Sequence, residues 1–209
     1  MYHILNIVMG KVCFQVGKSN FDLIIFEDVY SPLEDTILIA KHIPENLKGK
    51  KILEIGVGCG ILSIIAAMRG GGVTGVDINE DALKNTKLNA EKYNVDIKLI
   101  ESDLFSNVKG KFDLIIFNPP YVPSDKNDKY LSRGIKYAVS GGLYGTDTIE
   151  RFLASFKKYL NKNGKALLII SSHNNIKQKM EKQRWRKIDS VNFFFEKIYL
   201  MKYVYSSAK

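Results

Sequence analysis

From residue 50 onward, short apolar runs alternate with stretches whose apolar residues recur at helical spacing. The runs at 51–55, 73–76, 97–100, 112–117 and 165–170 predict strands, and the stretches at 61–68, 81–93, 146–160 and 176–183 predict helices. Buried strands that alternate with helices pair in parallel through crossovers, so the order predicts an open α/β sheet covered on both faces. Two further β-rich runs, 187–195 and 197–205, follow with no helix between them. They predict an antiparallel hairpin that closes one edge of a seven-stranded, mostly parallel sheet. Ahead of the core, 12–16 and 21–26 flank Gly17-Lys18-Ser19-Asn20 and predict a small N-terminal hairpin, serving as a lid or an edge cover. Residues 121–145 lack strong periodicity, and a loop of that length inside a compact domain points to function.

Composition narrows the class. With 209 residues, 45% hydrophobic and 25% charged, the chain fits one packed domain over 1–209, with 1–29 as an N-terminal extension and 30–205 as the core. The longest apolar stretches fall far short of the roughly 20 residues of a membrane span. Residues 1–10 lack the basic start and small-residue cleavage pattern of a secretory signal, which predicts a cytoplasmic address without membrane contact. Cys13 and Cys59 form no Cys-x-x-Cys pair, and His3, His42 and His173 are scattered, so neither a disulfide framework nor a local metal site is expected. The net charge of +9 is uneven: residues 151–209 hold 14 Lys and Arg against Glu181, Asp189 and Glu196. Such a basic C-terminal region suits a phosphate backbone or an acidic partner, and equally a solvated helix face.

The first core strand ends in Glu54-Ile55-Gly56-Val57-Gly58-Cys59-Gly60 and runs directly into an apolar helix. Glycines at a strand-to-helix turn let the backbone bend tightly and approach a nucleotide-like ligand at the helix N-terminus. The next strand ends at Asp77, placed to accept from ribose hydroxyls. A dinucleotide dehydrogenase would carry Gly-x-Gly-x-x-Gly, but Ile61 stands where its third glycine belongs. Glu54 also suits a cationic sulfonium cofactor better than a pyrophosphate, which points to S-adenosyl-L-methionine. Asp103 and Leu104 close the third strand at the same edge, where Asp103 can accept from an adenine amine or simply cap a turn.

Asn118-Pro119-Pro120-Tyr121 follows the strand predicted at 112–117 and carries the most specific chemistry. The prolines fix φ and lack N–H groups, leaving the Pro119 carbonyl free to accept beside the Asn118 side-chain oxygen. Two acceptors a few Å apart match the two N–H bonds of a planar NH₂ group, and Tyr121 offers a face for it to lie on. Gripping both hydrogens aims the nitrogen lone pair, which is positioning plus electrostatics for an N-methyl transfer.

Together these motifs resemble the HemK-type protein-glutamine methyltransferases over about residues 27–205. Val29-Tyr30-Ser31-Pro32-Leu33-Glu34-Asp35-Thr36 is similar to the Tyr-x-Pro-x-Glu-Asp-Ser/Thr segment of the family's short archaeal and eukaryotic branch, and Ala138-Val139-Ser140-Gly141-Gly142 resembles its substrate loop. The resemblance implies a Rossmann-like class I methyltransferase fold without the large N-terminal helical domain of bacterial members. It implies methylation of the Gly-Gly-Gln glutamine of a class I translation release factor, with Glu34, Asp35 and Thr36 near the methionine end of the cofactor. It further implies a heterodimer with a small zinc-binding activator subunit, docked on the edge strand at 95–100, without which the chain is poorly soluble or poorly active. Pro32 before Glu34-Asp35 is also an ordinary helix start. Lys136 and Val139 depart from the family pattern and alter the wall on the substrate side. Two other readings stand beside this one: methylation of an exocyclic adenine amine in RNA or DNA, and a cofactor-binding scaffold without catalysis.

Overall fold

The computed structural model describes residues 9–193 and 195–205. The reading of residues 1–10 as lacking a secretory signal therefore lies almost wholly outside the described residues, as do His3 and Phe194.

Seven strands form one sheet: β3 (Lys51–Ile55), β4 (Gly72–Asp77), β5 (Ile97–Glu101), β6 (Phe112–Phe117), β7 (Leu160–Ser171), β8 (Arg186–Phe193) and β9 (Glu196–Val204). Their order is β5-β4-β3-β6-β7-β9-β8, with β3 to β7 parallel and β9 antiparallel to both neighbours. The β8–β9 hairpin closes the edge as predicted, with β9 inside. Alternation along each strand divides the core in two. Ile52, Leu114, Ile116 and Leu167 pack under the helices α1 (Glu34–Ala40), α2 (Ile61–Met68) and α3 (Glu80–Lys92). Leu53, Ile115, Phe117 and Leu168 face α5 (Asp147–Ser155) and α6 (Lys177–Lys182). There Phe105, Phe152, Phe156, Trp185 and Tyr203 form an aromatic cluster with centroid separations of 5.1 to 6.4 Å. Among the described residues no helix is long and apolar enough to cross a membrane.

The N-terminal hairpin, β1 (Met9–Val16) and β2 (Ser19–Phe26), turns on only two residues, Gly17 and Lys18. It is neither a lid nor an edge cover, because its two-stranded sheet lies on the outer helix layer. Two asparagines of α3 cause this: the Asn85 and Asn89 side chains accept from Phe26 and Ile24 N–H and donate to the Ile24 carbonyl, treating β2 as a neighbouring strand would. Residues 121–145 also differ from the predicted long loop. They hold a 3-10 turn (Lys126–Tyr130) and the helix α4 (Arg133–Val139), capped by Ser132, and Val122 bridges to Ser140. The helix is only seven residues long, so it depends on contact with the rest of the chain.

Candidate active site

The carboxyl ends of β3, β4 and β6, together with α1 and α4, enclose a cavity of about 550 Å³, within the usual range for a small-molecule site. It gathers Asp35, Thr36, Glu54, Gly56, Gly58, Asp77, Asp103, Leu104 and the whole of Asn118 to Tyr121, but neither Gly60 nor Glu34, which the resemblance placed near the cofactor and which is exposed in the first turn of α1. Gly60 instead caps α2 at φ 88°, where a Cβ would stand 2.7 Å from the Thr86 methyl. Gly56 and Gly58 also take positive φ, at 68° and 53°. No atom lies within 4 Å of where a Cβ on Gly58 would sit, so the turn keeps open space against the cavity.

The carboxylates of this cavity are held by neutral donors. Asp77 accepts from the backbone N–H of Gly58 at 3.1 Å and of Asn79 at 2.9 Å, which ties the end of β4 to the glycine turn and leaves further lone pairs for hydroxyl donors. Glu54 lies under the turn, 3% exposed, and accepts from the Ser63 hydroxyl. Burial pushes its carboxyl up to about 8. A buried acid with a single neutral partner favours a cationic group above it. Asp103 differs, because Arg151 reaches it at 2.7 Å in an exposed ion pair at the rim, engaging the oxygen Oδ2. Next to it Leu104 is buried in the left-handed region at φ 51°, a strained backbone of the kind that clusters at ligand sites.

Asp35 organises the other half. It is 2% exposed and accepts five hydrogen bonds. Its Oδ1 takes Thr36 N–H at 2.6 Å and Thr36 Oγ1 at 3.1 Å, and its Oδ2 takes Asn118 Nδ2 at 3.0 Å, Tyr121 Oη at 3.1 Å and Tyr30 Oη at 3.3 Å. Burial and the Asp35 charge hold both phenols well above the usual tyrosine range, so both remain donors. A carboxylate only accepts, which fixes the Asn118 amide with its nitrogen toward Asp35. The Asn118 Oδ1 is left buried and without a partner among the described residues, in the wall of the cavity.

A second clamp holds the backbone. Buried Asn174 donates to the carbonyls of Tyr121 at 2.8 Å, Gly145 at 3.1 Å and Tyr144 at 3.2 Å. Gly145, at φ 67°, would place a Cβ 2.2 Å from the Tyr121 carbonyl, and Gly141 one at 2.6 Å from that of Pro120. The segment resembling a substrate loop therefore packs directly on Asn118-Pro119-Pro120-Tyr121. Lys136 and Val139 both line the cavity from α4. Sequence reasoning named Asp35 only through resemblance and missed Asn174, although Ser171 followed by Asn174 is a legible capping pair.

The methyltransferase small-domain model matches residues 34–141, just over half of the chain. A Methanocaldococcus jannaschii protein, a protein N5-glutamine methyltransferase by assignment, is 43% identical over 156 residues, covering 74% of this chain and 78% of its own length. The release factor glutamine methyltransferase of Buchnera aphidicola is 28% identical over 85% of this chain and 62% of its own length. Among solved structures, the Thermus thermophilus 16S rRNA N2 G1207 methyltransferase, in complex with AdoMet and guanosine, superposes with a TM-score of 0.70 at 16% identity, covering 92% of this chain and 50% of that one. That likeness carries the fold. With the matched segment spanning the cavity from α1 to the loop beyond Tyr121, the chain belongs to the methyltransferase small-domain family and, within it, to the HemK-type protein-glutamine methyltransferases.

Proposed function

We propose that this chain is a single-domain enzyme that methylates the side-chain amide nitrogen of a protein glutamine, the Gly-Gly-Gln glutamine of a class I release factor in the cytoplasm, with S-adenosyl-L-methionine as donor. The observation that carries the reading is the buried Asn118 Oδ1, which lacks a partner while its own nitrogen is held by Asp35. An unsatisfied buried acceptor costs about 1–3 kcal/mol, and a bound NH₂ donor relieves it.

The residues fit the cofactor. Glu54, Asp77 and Asp35 place acids in the cavity wall, while the cations Lys136 and Arg151 stay at the rim, so the interior suits a cation and repels a pyrophosphate. Gly56, Gly58 and Gly60 shape the turn, Glu54 and Thr36 take the methionine end, Asp77 the ribose, and Asp103 with Leu104 the adenine. When bound, S-adenosyl-L-methionine supplies a methyl group on a sulfonium. The chain's own part is to hold the acceptor nitrogen still. Asn118 Oδ1 and the Pro119 carbonyl accept its two hydrogens, Pro120 keeps that backbone rigid, and Tyr121, tied to Asp35, fixes the plane of the amide. The proton shed after transfer passes to one of the two oxygens or to water.

The acceptor is supported by the relatives' names, the M. jannaschii protein by its glutamine chemistry and the Buchnera enzyme by its release factor. The outermost strand β5 leaves one edge unpaired, with Ile97, Leu99 and Ile100 half-buried along it, which suits strand addition by a zinc-binding activator subunit. Asn118→Ala tests the reaction, read as cofactor binding by calorimetry and as methyl transfer to a release factor with the activator present. Transfer should fall by about 10²–10³-fold with binding kept within about threefold. Label that enters RNA and never the glutamine would assign the adenine reading instead, and unchanged biological activity would assign the scaffold.

A further inference from the structure

Apart from Lys136 and Arg151 at the cavity, a group of the chain's cations collects at the opposite, amino edge of the sheet, brought there from segments far apart in sequence. Lys50 and Lys51 lead into β3, and Lys109 and Lys111 into β6. Lys158 and Lys162 flank the start of β7, while Arg184 and Arg186 lead into and open β8, beside the end of β9 where Arg186 pairs with Lys202. All eight are exposed, and among the described residues none of them has an ion-pair partner. The four stretches that carry them, 48–51, 109–112, 157–165 and 182–187, contain no acid, and Asp113, which follows the second, is half-buried with its carboxylate taken up by Lys51 N–H and Asn161. The parallel strands force this gathering, because every segment that enters β3, β6 or β7 must begin at the same edge.

We infer that the amino edge of the sheet is a second binding face, for the phosphate backbone of RNA, separate from the methyl-transfer site. Five adjacent strands from β3 to β8 span about 19 Å, over which one nucleic-acid strand places about six phosphates. The side chains separate RNA from an acidic protein. Six of the eight cations are lysines, which are depleted in protein interfaces but serve as point charges for phosphate. A protein partner would also need apolar anchors at the centre. The most exposed of the large apolar residues, Phe195, Leu143 and Tyr144 among them, lie in the loop after β6 and the β8–β9 turn at the carboxyl side, whereas among the described residues the amino edge exposes only Val204 and Ile188 beside the cations, at 46% and 37%. The face thus does not select the acceptor; it docks the enzyme on an RNA-bearing assembly while the cavity faces away.

The test is fluorescence anisotropy with a labelled RNA duplex of about 20 base pairs and unrelated sequence, titrated from about 50 to about 200 mM salt. The wild-type chain should bind with an affinity that falls at least about tenfold over that range, the signature of several released counterions. The charge reversal Lys109→Glu/Lys111→Glu/Lys162→Glu should weaken binding by about tenfold or more and flatten the salt slope, with an unchanged thermal midpoint showing that it folds. A second variant, Lys158→Glu/Arg184→Glu, should do the same from the other side of β7. Failure of the wild type to bind near 100 mM salt, binding that both variants keep, or polyglutamate of equal charge bound as tightly as the duplex would each overturn the inference.

Discussion

The two edges of one sheet handle charge in opposite ways. At the carboxyl edge the acids inside the cavity are held by neutral groups, Asp35 by five hydrogen bonds, half-buried Asp77 by two backbone N–H groups and Glu54 by Ser63, and only Asp103 at the rim pairs with a cation. At the amino edge eight lysines and arginines stand in water with no ion-pair partner among the described residues, and the acid beside them, Asp113, is held by Lys51 N–H and Asn161. Buried charges are fixed in direction and suit chemistry that depends on ångström placement. Solvated charges are mobile and screened, and act through their number. The difference teaches that precision and attraction are kept apart in this chain, on opposite ends of the same strands.

Removing a charge that orders the site should therefore matter far more than removing one at the amino edge. Asp35→Asn should lower methyl transfer by about 100-fold beyond any loss of cofactor affinity from the missing acid, because the Asn118 amide can then turn its nitrogen toward the acceptor. Adding Asn118→Asp to that variant restores an oxygen facing the acceptor and should recover at least about tenfold of the loss. At the other edge Asp113 accepts from Lys51 N–H and from Asn161, and Asp113→Asn should leave transfer within about twofold. Equal losses from the two substitutions, measured as kcat and KM separately, would erase the contrast.

Backbone placement comes next in size. Gly60→Ala puts a Cβ against Thr86 at a positive φ and should cost about 1–3 kcal/mol in a denaturation midpoint. A Gly17→Ala change at the hairpin turn, also at positive φ but with no atom within 4 Å, should cost less.

The smallest effect is a pH dependence. Burial raises Glu54 to about 8, so below that pH the carboxyl is mostly neutral, and a cationic cofactor favours the ionised form. Cofactor affinity should rise with pH by up to about tenfold per unit and level off above 8, with proton release on binding in calorimetry. The unliganded chain has the opposite sign. Between the ordinary carboxylate range and about 8 its folded state holds one more proton than the unfolded chain, so its stability should decline as pH rises. Glu54→Gln should flatten both profiles.

Much of this molecule is written locally. The alternation of Ile52 with Leu53 and of Ile115 with Ile116 announces a sheet buried on both faces, since neighbouring residues of a strand point opposite ways. The glycine turn, Asp77 and Asn118-Pro119-Pro120-Tyr121 are legible because backbone freedom, proline rigidity and strand ends depend on a few adjacent residues. What the chain order hides is partnership across distance. Asp35 and Asn118 stand 83 positions apart, and Asn174 reaches Tyr121 across 53, with no local signal that these side chains meet. The helix at 133–139 was hidden for a related reason, since a seven-residue segment becomes helical only against a surface that other segments supply.

Charge shows the same division. The sequence alone determined that the last 59 residues are basic, but it suggested a C-terminal tract. Only the tertiary structure joined Arg184 and Arg186 to Lys50, Lys51, Lys109 and Lys111, and turned the group away from the cavity. The physical reason is the direction of the strands: crossover connections return the start of every strand of this sheet but antiparallel β9 to one edge and its end to the other, whatever their separation along the chain.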